Sequence, residues 1–151
     1  MKAGELVPDF ELPDQDGKPV RLAELLASGP VVLFFYPAAM TPGCTKEACH
    51  FRDLAAEFAA AGAVRVGISA DPPEKQRQFA DRHGFDYPLL SDVDGAVAAT
   101  FGVQRGGVGR RLGLPVKRWT FVIGPDLRVV KVIASELNMD RHADEALAAL
   151  R

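Results

Sequence analysis

Two cysteines, Cys44 and Cys49, stand five residues apart in a segment that begins Thr41-Pro42-Gly43-Cys44. Threonine is a good N-cap and proline suits the first helical position, which makes Cys44 the third residue of a helix, inside its first turn. Backbone N–H groups there have no partner within the helix, and the positive end of the helix dipole lies among them. A sulfur held in that place is stabilised as thiolate, the nucleophilic form. A capping box would set Glu or Gln where Cys44 stands, so an ionisable sulfur fills a slot that normally takes an anion. For one cysteine alone, a small buried hydrophobe at a helix start is an equal account; the second cysteine shifts the balance towards chemistry.

On an ideal helix five residues turn through about 500°, which sets Cys49 about 140° around from Cys44 with Cα atoms about 8.6 Å apart. A disulfide needs Cα atoms within about 7 Å. The sulfurs therefore cannot bond while the helix is intact, and a disulfide between them requires its first turns to unwind. Cys44 falls near the core stripe of Phe51, whereas Cys49 shares a face with Arg52, Asp53 and Ala56, nearer solvent.

The elements that must position these thiols are legible around them. Val31 to Phe35 is apolar at every position, as in a strand buried on both faces of a helix-covered sheet. From Thr41 to Ala61 the periodicity changes to helical, with Phe51, Leu54, Ala55 and Phe58 on one side, and predicts one long helix. Strands are predicted at Val64 to Ser69, Leu89-Leu90, Trp119 to Ile123 and Val129 to Ile133, with helices at Leu22 to Leu26, Pro73 to His83, Ala96 to Phe101 and Asp140 to Leu150. Asp14-Gln15-Asp16-Gly17 between two apolar ends predicts an N-terminal hairpin. The whole reads as an α/β fold, a central mixed sheet flanked by helices, forming one domain over residues 1–151.

Composition narrows the function. Eighteen basic and twenty acidic residues give a net charge of −2, which offers no electrostatic basis for nucleic acid or an anionic membrane. The start of the chain lacks an apolar signal core and Val31 to Tyr36 is too short to cross a bilayer, so a cytoplasmic protein is expected. His50, His83 and His142 have no ligand spacing and read as surface residues, and a Cys-x4-Cys pair is a poor zinc site. Arg105, Arg110, Arg111, Lys117 and Arg118 read as a solvated basic face. Gly102 to Val116 reads as a long loop, and Gly107-x-Gly109-x-x-x-Gly113 misses the dinucleotide fingerprint.

Pro37-x-x-x-Thr41-x-x-Cys44 resembles the active-site motif of the peroxiredoxins. Thr41 to Cys49 followed by Phe51-Arg52-Asp53 is similar to the peroxiredoxin Q, or bacterioferritin comigratory protein, subgroup. The resemblance runs from Val7-Pro8-Asp9-Phe10 through Leu90-Ser91-Asp92 to Arg118-Trp119-Thr120-Phe121-Val122-Ile123, and it departs at Gln104, where subgroup members often carry Trp. It implies a thioredoxin-like fold and a thiol-dependent peroxidase that needs no metal or organic cofactor. Cys44 would be the peroxidatic nucleophile and Cys49 the resolving cysteine. Thr41, Gly43 and Arg118 would hold thiolate and peroxide, and Pro37 would shield the pocket. Glu47 stands where an acid could join the Arg118 network, although an acid one turn into a helix is more often a surface residue that complements the helix dipole. The implied substrates are hydrogen peroxide and organic hydroperoxides, the partner thioredoxin or a similar dithiol, and the state a monomer, with a dimer as alternative. Two rival readings are a general thiol-disulfide oxidoreductase, whose cysteines normally lie closer, and a peroxide-responsive binding protein. Met40 and Trp119 read as pocket or core packing.

Overall fold

The computed structural model describes residues 1–106 and 115–151. Seven strands and six helices lie among the described residues: β1 Glu11–Pro13, β2 Pro19–Arg21, α1 Leu22–Leu26, β3 Val31–Phe35, α2 Pro42–Asp53, α3 Ala55–Ala60, β4 Val64–Ser69, α4 Pro73–His83, β5 Leu89–Ser91, α5 Ala96–Phe101, β6 Trp119–Ile123, β7 Val129–Ala134 and α6 Asp140–Ala149. β1 and β2 form the expected N-terminal hairpin, whose tip docks on β5 through Gln15, which accepts from the Leu89 N–H at 2.9 Å. The other five strands form one mixed sheet in the order β5-β4-β3-β6-β7, with β3 parallel to β4 and antiparallel to β6.

β3 shows why a continuous apolar run is needed at the centre. Its alternate side chains serve two cores: Val32 and Phe34 face the layer with α2, α4 and α6, while Val31, Leu33 and Phe35 face the layer with α1 and α5. Phe34 stacks on Phe51 with ring centroids 4.2 Å apart, which fixes α2 against the sheet. Gly67 on β4 makes room for this packing, since a Cβ there would come within 3.0 Å of Phe34 and 2.8 Å of Leu89.

The predicted Thr41 to Ala61 helix is two helices. Leu54 breaks the path at φ −93° and ψ 21°. The Phe51 carbonyl, which a continuous helix would offer to the Ala55 N–H, instead accepts from Arg65 Nη1 at 2.9 Å. The capture of that carbonyl by a residue of β4 is a tertiary event that helical periodicity does not encode. Most of the loop read at 102–116, including Arg110, Arg111 and the Gly107 to Gly113 pattern, lies outside the described residues; its ends pair through a bridge between Gln104 and Val116.

Candidate active site

The β3–α2 connection leaves the sheet at the carboxyl end of a parallel strand, where open α/β sheets place their sites. Tyr36 and Pro37 are buried at its start. The Ala39 N–H donates to Asp71 Oδ2 at 2.7 Å, and the Thr41 hydroxyl donates to the Ala38 carbonyl at 2.8 Å. Between these two ties Met40 is held at φ 64°, a left-handed conformation uncommon for a residue with a side chain. Asp71 is itself fixed by the Ser69 hydroxyl at 2.7 Å and by Lys75 at 3.4 Å.

Thr41 is the N-cap and Pro42 the first residue of α2, so Cys44 is third, as its sequence predicts. The Thr41 side chain makes no capping bond, because its proton is committed to Ala38, and its lone pairs remain as acceptors. Cys44 is 1% exposed and belongs to the core cluster of Phe51 and Phe34, while Cys49 is half-buried. Burial pushes the Cys49 thiol up, Arg52 pulls it down less, and Asp53 adds to the rise.

Arg118 reaches the sulfur from across the sheet. β6 pairs with β3 so that Thr120 lies opposite Phe34, and the two preceding residues carry Arg118 to the level where β3 becomes the Cys44 loop. Its Nη2 lies 3.4 Å from Cys44 Sγ and its Nη1 2.9 Å from Glu47 Oε1. Gly43 permits this approach, since a Cβ there would meet Arg118 Nη2 at 3.3 Å and the Met139 methyl at 3.5 Å. The Arg118 backbone N–H donates to Glu136 Oε2 at 2.7 Å. Burial disfavours the Arg118 charge, but Glu47 and Cys44 more than offset it, so its pKa is raised.

Arg118 is therefore no part of a solvated basic face: it is 7% exposed because its two anionic or polarisable partners are inside. Arg105 is paired with Glu136, and Lys117 lies over the Trp119 ring at 5.7 Å from its centroid. Glu47 is completely buried, and burial, against the opposing Arg118, raises its pKa to about 8. His142, expected at the surface, is completely buried too. It lies on the apolar stripe of α6 with Ala143, Ala146 and Leu147, a spacing visible in the sequence that a search for metal-ligand patterns passes over. Asp71 and Met139 are further site-shaping residues that sequence reasoning did not single out. Only the position of Asp71 just beyond a parallel strand hinted at it, and nothing pointed to Met139.

Taken together, a guanidinium set against a buried sulfur and the backbone N–H donors at the helix start can stabilise an anion developing on an oxygen bound there. Among the described residues no group of three or more His, Cys, Asp or Glu side chains is placed to hold a metal ion, and no helix is long and apolar enough to cross a membrane.

The AhpC/TSA family model matches residues 3–132. Peroxiredoxin Bcp of Escherichia coli is 39% identical over 153 aligned residues, which cover 100% of this chain and 96% of that protein. The crystal structure of peroxidoxin BcpB from Mycobacterium tuberculosis superposes with a TM-score of 0.94 at 66% identity, covering 99% of this chain and 96% of that one. A Xanthomonas campestris bacterioferritin comigratory protein, described by its alkyl peroxide reduction activity and its trapped intermediate and ligand complexes, superposes with a TM-score of 0.86 at 34% identity, covering 99% and 97%. A match over most of the chain, carried by the same thioredoxin-like architecture, makes this protein a member of the AhpC/TSA family, a peroxiredoxin beside the Bcp and peroxiredoxin Q proteins.

Proposed function

We propose that this peroxidase reduces hydrogen peroxide and organic hydroperoxides through Cys44, with Cys49 as resolving cysteine and thioredoxin or a similar dithiol as reductant. The observation that carries the reading is the Arg118 guanidinium at 3.4 Å from the Cys44 sulfur, fixed on its other side by buried Glu47. The Cys44 thiolate attacks the terminal peroxide oxygen, the O–O bond breaks, and the departing oxygen leaves with the electron pair and takes up a proton as water or alcohol. Arg118, with the free N–H groups at the start of α2, stabilises the charge on that oxygen. Cys44 is left as sulfenic acid. α2 then opens, the Cys49 sulfur attacks the Cys44 sulfur, the hydroxyl leaves as water, and a disulfide forms. Two electrons from the external dithiol restore both thiols. Thr41 supplies acceptors for a peroxide proton, and Gly43 and Pro37 shape the pocket. In this reading the protein works in the cytoplasm as one domain and as a monomer.

The test is the intact mass of the reduced protein within seconds of adding one equivalent of hydrogen peroxide, beside a free-cysteine control. Loss of two hydrogens per chain well ahead of the control is expected. Cys44→Ser abolishes the reaction, and Cys49→Ser retains one fast turnover that stops at the sulfenic acid. Oxidation no faster than the control, or full activity in Cys44→Ser, overturns the reading.

A further inference from the structure

The inner end of the site holds a titratable group with no part in the steps above. His142 Nε2 lies 2.8 Å from the Ser135 carbonyl oxygen. A carbonyl only accepts, so Nε2 carries a proton, and in the neutral ring Nδ1 is an acceptor. Two groups face that lone pair: the Thr120 hydroxyl at 2.7 Å and Glu47 Oε2 at 3.5 Å. Glu47 Oε1 accepts from Arg118, but Oε2 is buried with no hydrogen-bond partner among the described residues. An ionised carboxylate here would aim an unpaired anionic oxygen at the imidazole lone pair inside the protein, a costly arrangement. A protonated carboxyl aims a donor at an acceptor.

The charged and titratable neighbours come from several elements. Arg118, preceding β6, favours ionised Glu47, and Glu136, following β7, disfavours it. Arg118 and Arg141 disfavour a charged His142, and Glu136 favours one. Cys44 bears on Arg118 from α2, and Glu47 acts on buried Tyr87. Burial outweighs them at both residues: it holds Glu47 at about 8 and His142 below the ordinary histidine range.

We propose that His142 is a positioning residue for the peroxidase reaction, sharing one proton with Glu47 so that the Arg118 guanidinium keeps an uncompensated charge for Cys44 and the departing oxygen. This rests on the peroxidase reading. With the proton present, Glu47 orients Arg118 without neutralising it; once the proton is lost, Arg118 and Glu47 become a full ion pair and less positive charge is left for the reaction.

The experiment is the second-order rate constant for Cys44 oxidation by hydrogen peroxide in the full chain, measured by quenched-flow mass spectrometry from about pH 5 to about pH 10. The wild type shows a decline centred near pH 8, where Glu47 ionises, and Glu47→Gln abolishes that decline. His142→Phe removes the acceptor and frees the Thr120 hydroxyl for the carboxylate, and both effects move the decline down by about one pH unit. Thr120→Val removes the competing donor and moves it up. Opposite shifts from two packing-conservative changes are not what a merely structural role gives. A protonated-carboxyl band in the infrared spectrum at neutral pH, lost in Glu47→Gln, supports the proposal even if His142→Phe fails to fold. A decline that stays in place in Thr120→Val, or the absence of that band, overturns it. Failure of wild-type Cys44 to outpace free cysteine overturns the peroxidase reading instead.

Discussion

At Arg118 one planar group does two jobs that a lysine could not, since its separate nitrogens reach Glu47 at 2.9 Å and Cys44 at 3.4 Å. That economy carries a cost in burial, and Glu47 bears most of it. Its carboxyl is pushed from 4.5 to about 8 in the folded protein, so folded chains keep a proton that unfolded chains release. The stability this provides is complete below about pH 4.5 and is lost as pH rises through about 8. His142 acts oppositely: its pKa is lowered from 6.5, so its contribution is present above that value and fades as pH falls. The two therefore offset each other in mild acid, and between pH 6.5 and about 8 only Glu47 is left to act. In that window unfolding free energy declines by up to about 1.4 kcal/mol per pH unit. Urea titrations of wild type and Glu47→Gln check this, with a flat profile expected for the variant.

At the scale of the element, the proposed cycle asks α2 both to hold Cys44 and to open. In its first turn the Thr45 N–H donates to the Thr41 carbonyl at 2.8 Å, and Arg118 Nη2 reaches Cys44 Sγ at 3.4 Å. Its later turns are tied from outside: the buried Tyr87 hydroxyl donates to the Ala48 carbonyl at 2.7 Å, and Arg65 to the Phe51 carbonyl at 2.9 Å. These ties bracket Cys49, so opening that starts at the proline end meets resistance just where the second thiol sits. Tyr87→Phe removes one tie while keeping the ring packing, a change of about 1 kcal/mol. The expected result is faster conversion of sulfenic acid to disulfide by up to about fivefold, with initial Cys44 oxidation unchanged, read by time-resolved mass spectrometry. Slower disulfide formation would show that Tyr87 does not restrain the helix.

At the scale of the whole molecule, the site is the meeting point of segments far apart in the chain. Cys44 and Arg118 are 74 residues apart and are joined by the antiparallel pairing of β6 with β3. His142 arrives on the last helix, packed on the same sheet face. What holds α2 in this frame is the Phe34–Phe51 stack, continued by Phe58 at 5.8 Å from Phe51. Phe51→Ala leaves a cavity under α2 and is expected to lower unfolding free energy by roughly 3 to 5 kcal/mol. Denaturant unfolding measures that loss; a change under about 1 kcal/mol would mean that the stack is not what anchors the helix.

Local physics is enough to read the run Val31 to Phe35 as a central strand, to set Cys44 third in a helix, and to forbid a Cys44–Cys49 bond in an intact helix. Each follows from periodicity, capping and covalent reach, which act over a few residues. The motif around Cys44 likewise carried the family, because its spacing is short and its residues contiguous. What the chain alone left open depends on partners distant in sequence. The break at Leu54 needs Arg65, the strained Met40 loop needs Asp71, and the burial of His142 and Glu47 needs α6 to close over the sheet beside Arg118. A histidine next to Arg141 and a glutamate one turn into a helix look like surface groups until the fold removes their water. Only the tertiary structure decides that removal, and with it the charge of the group behind Arg118.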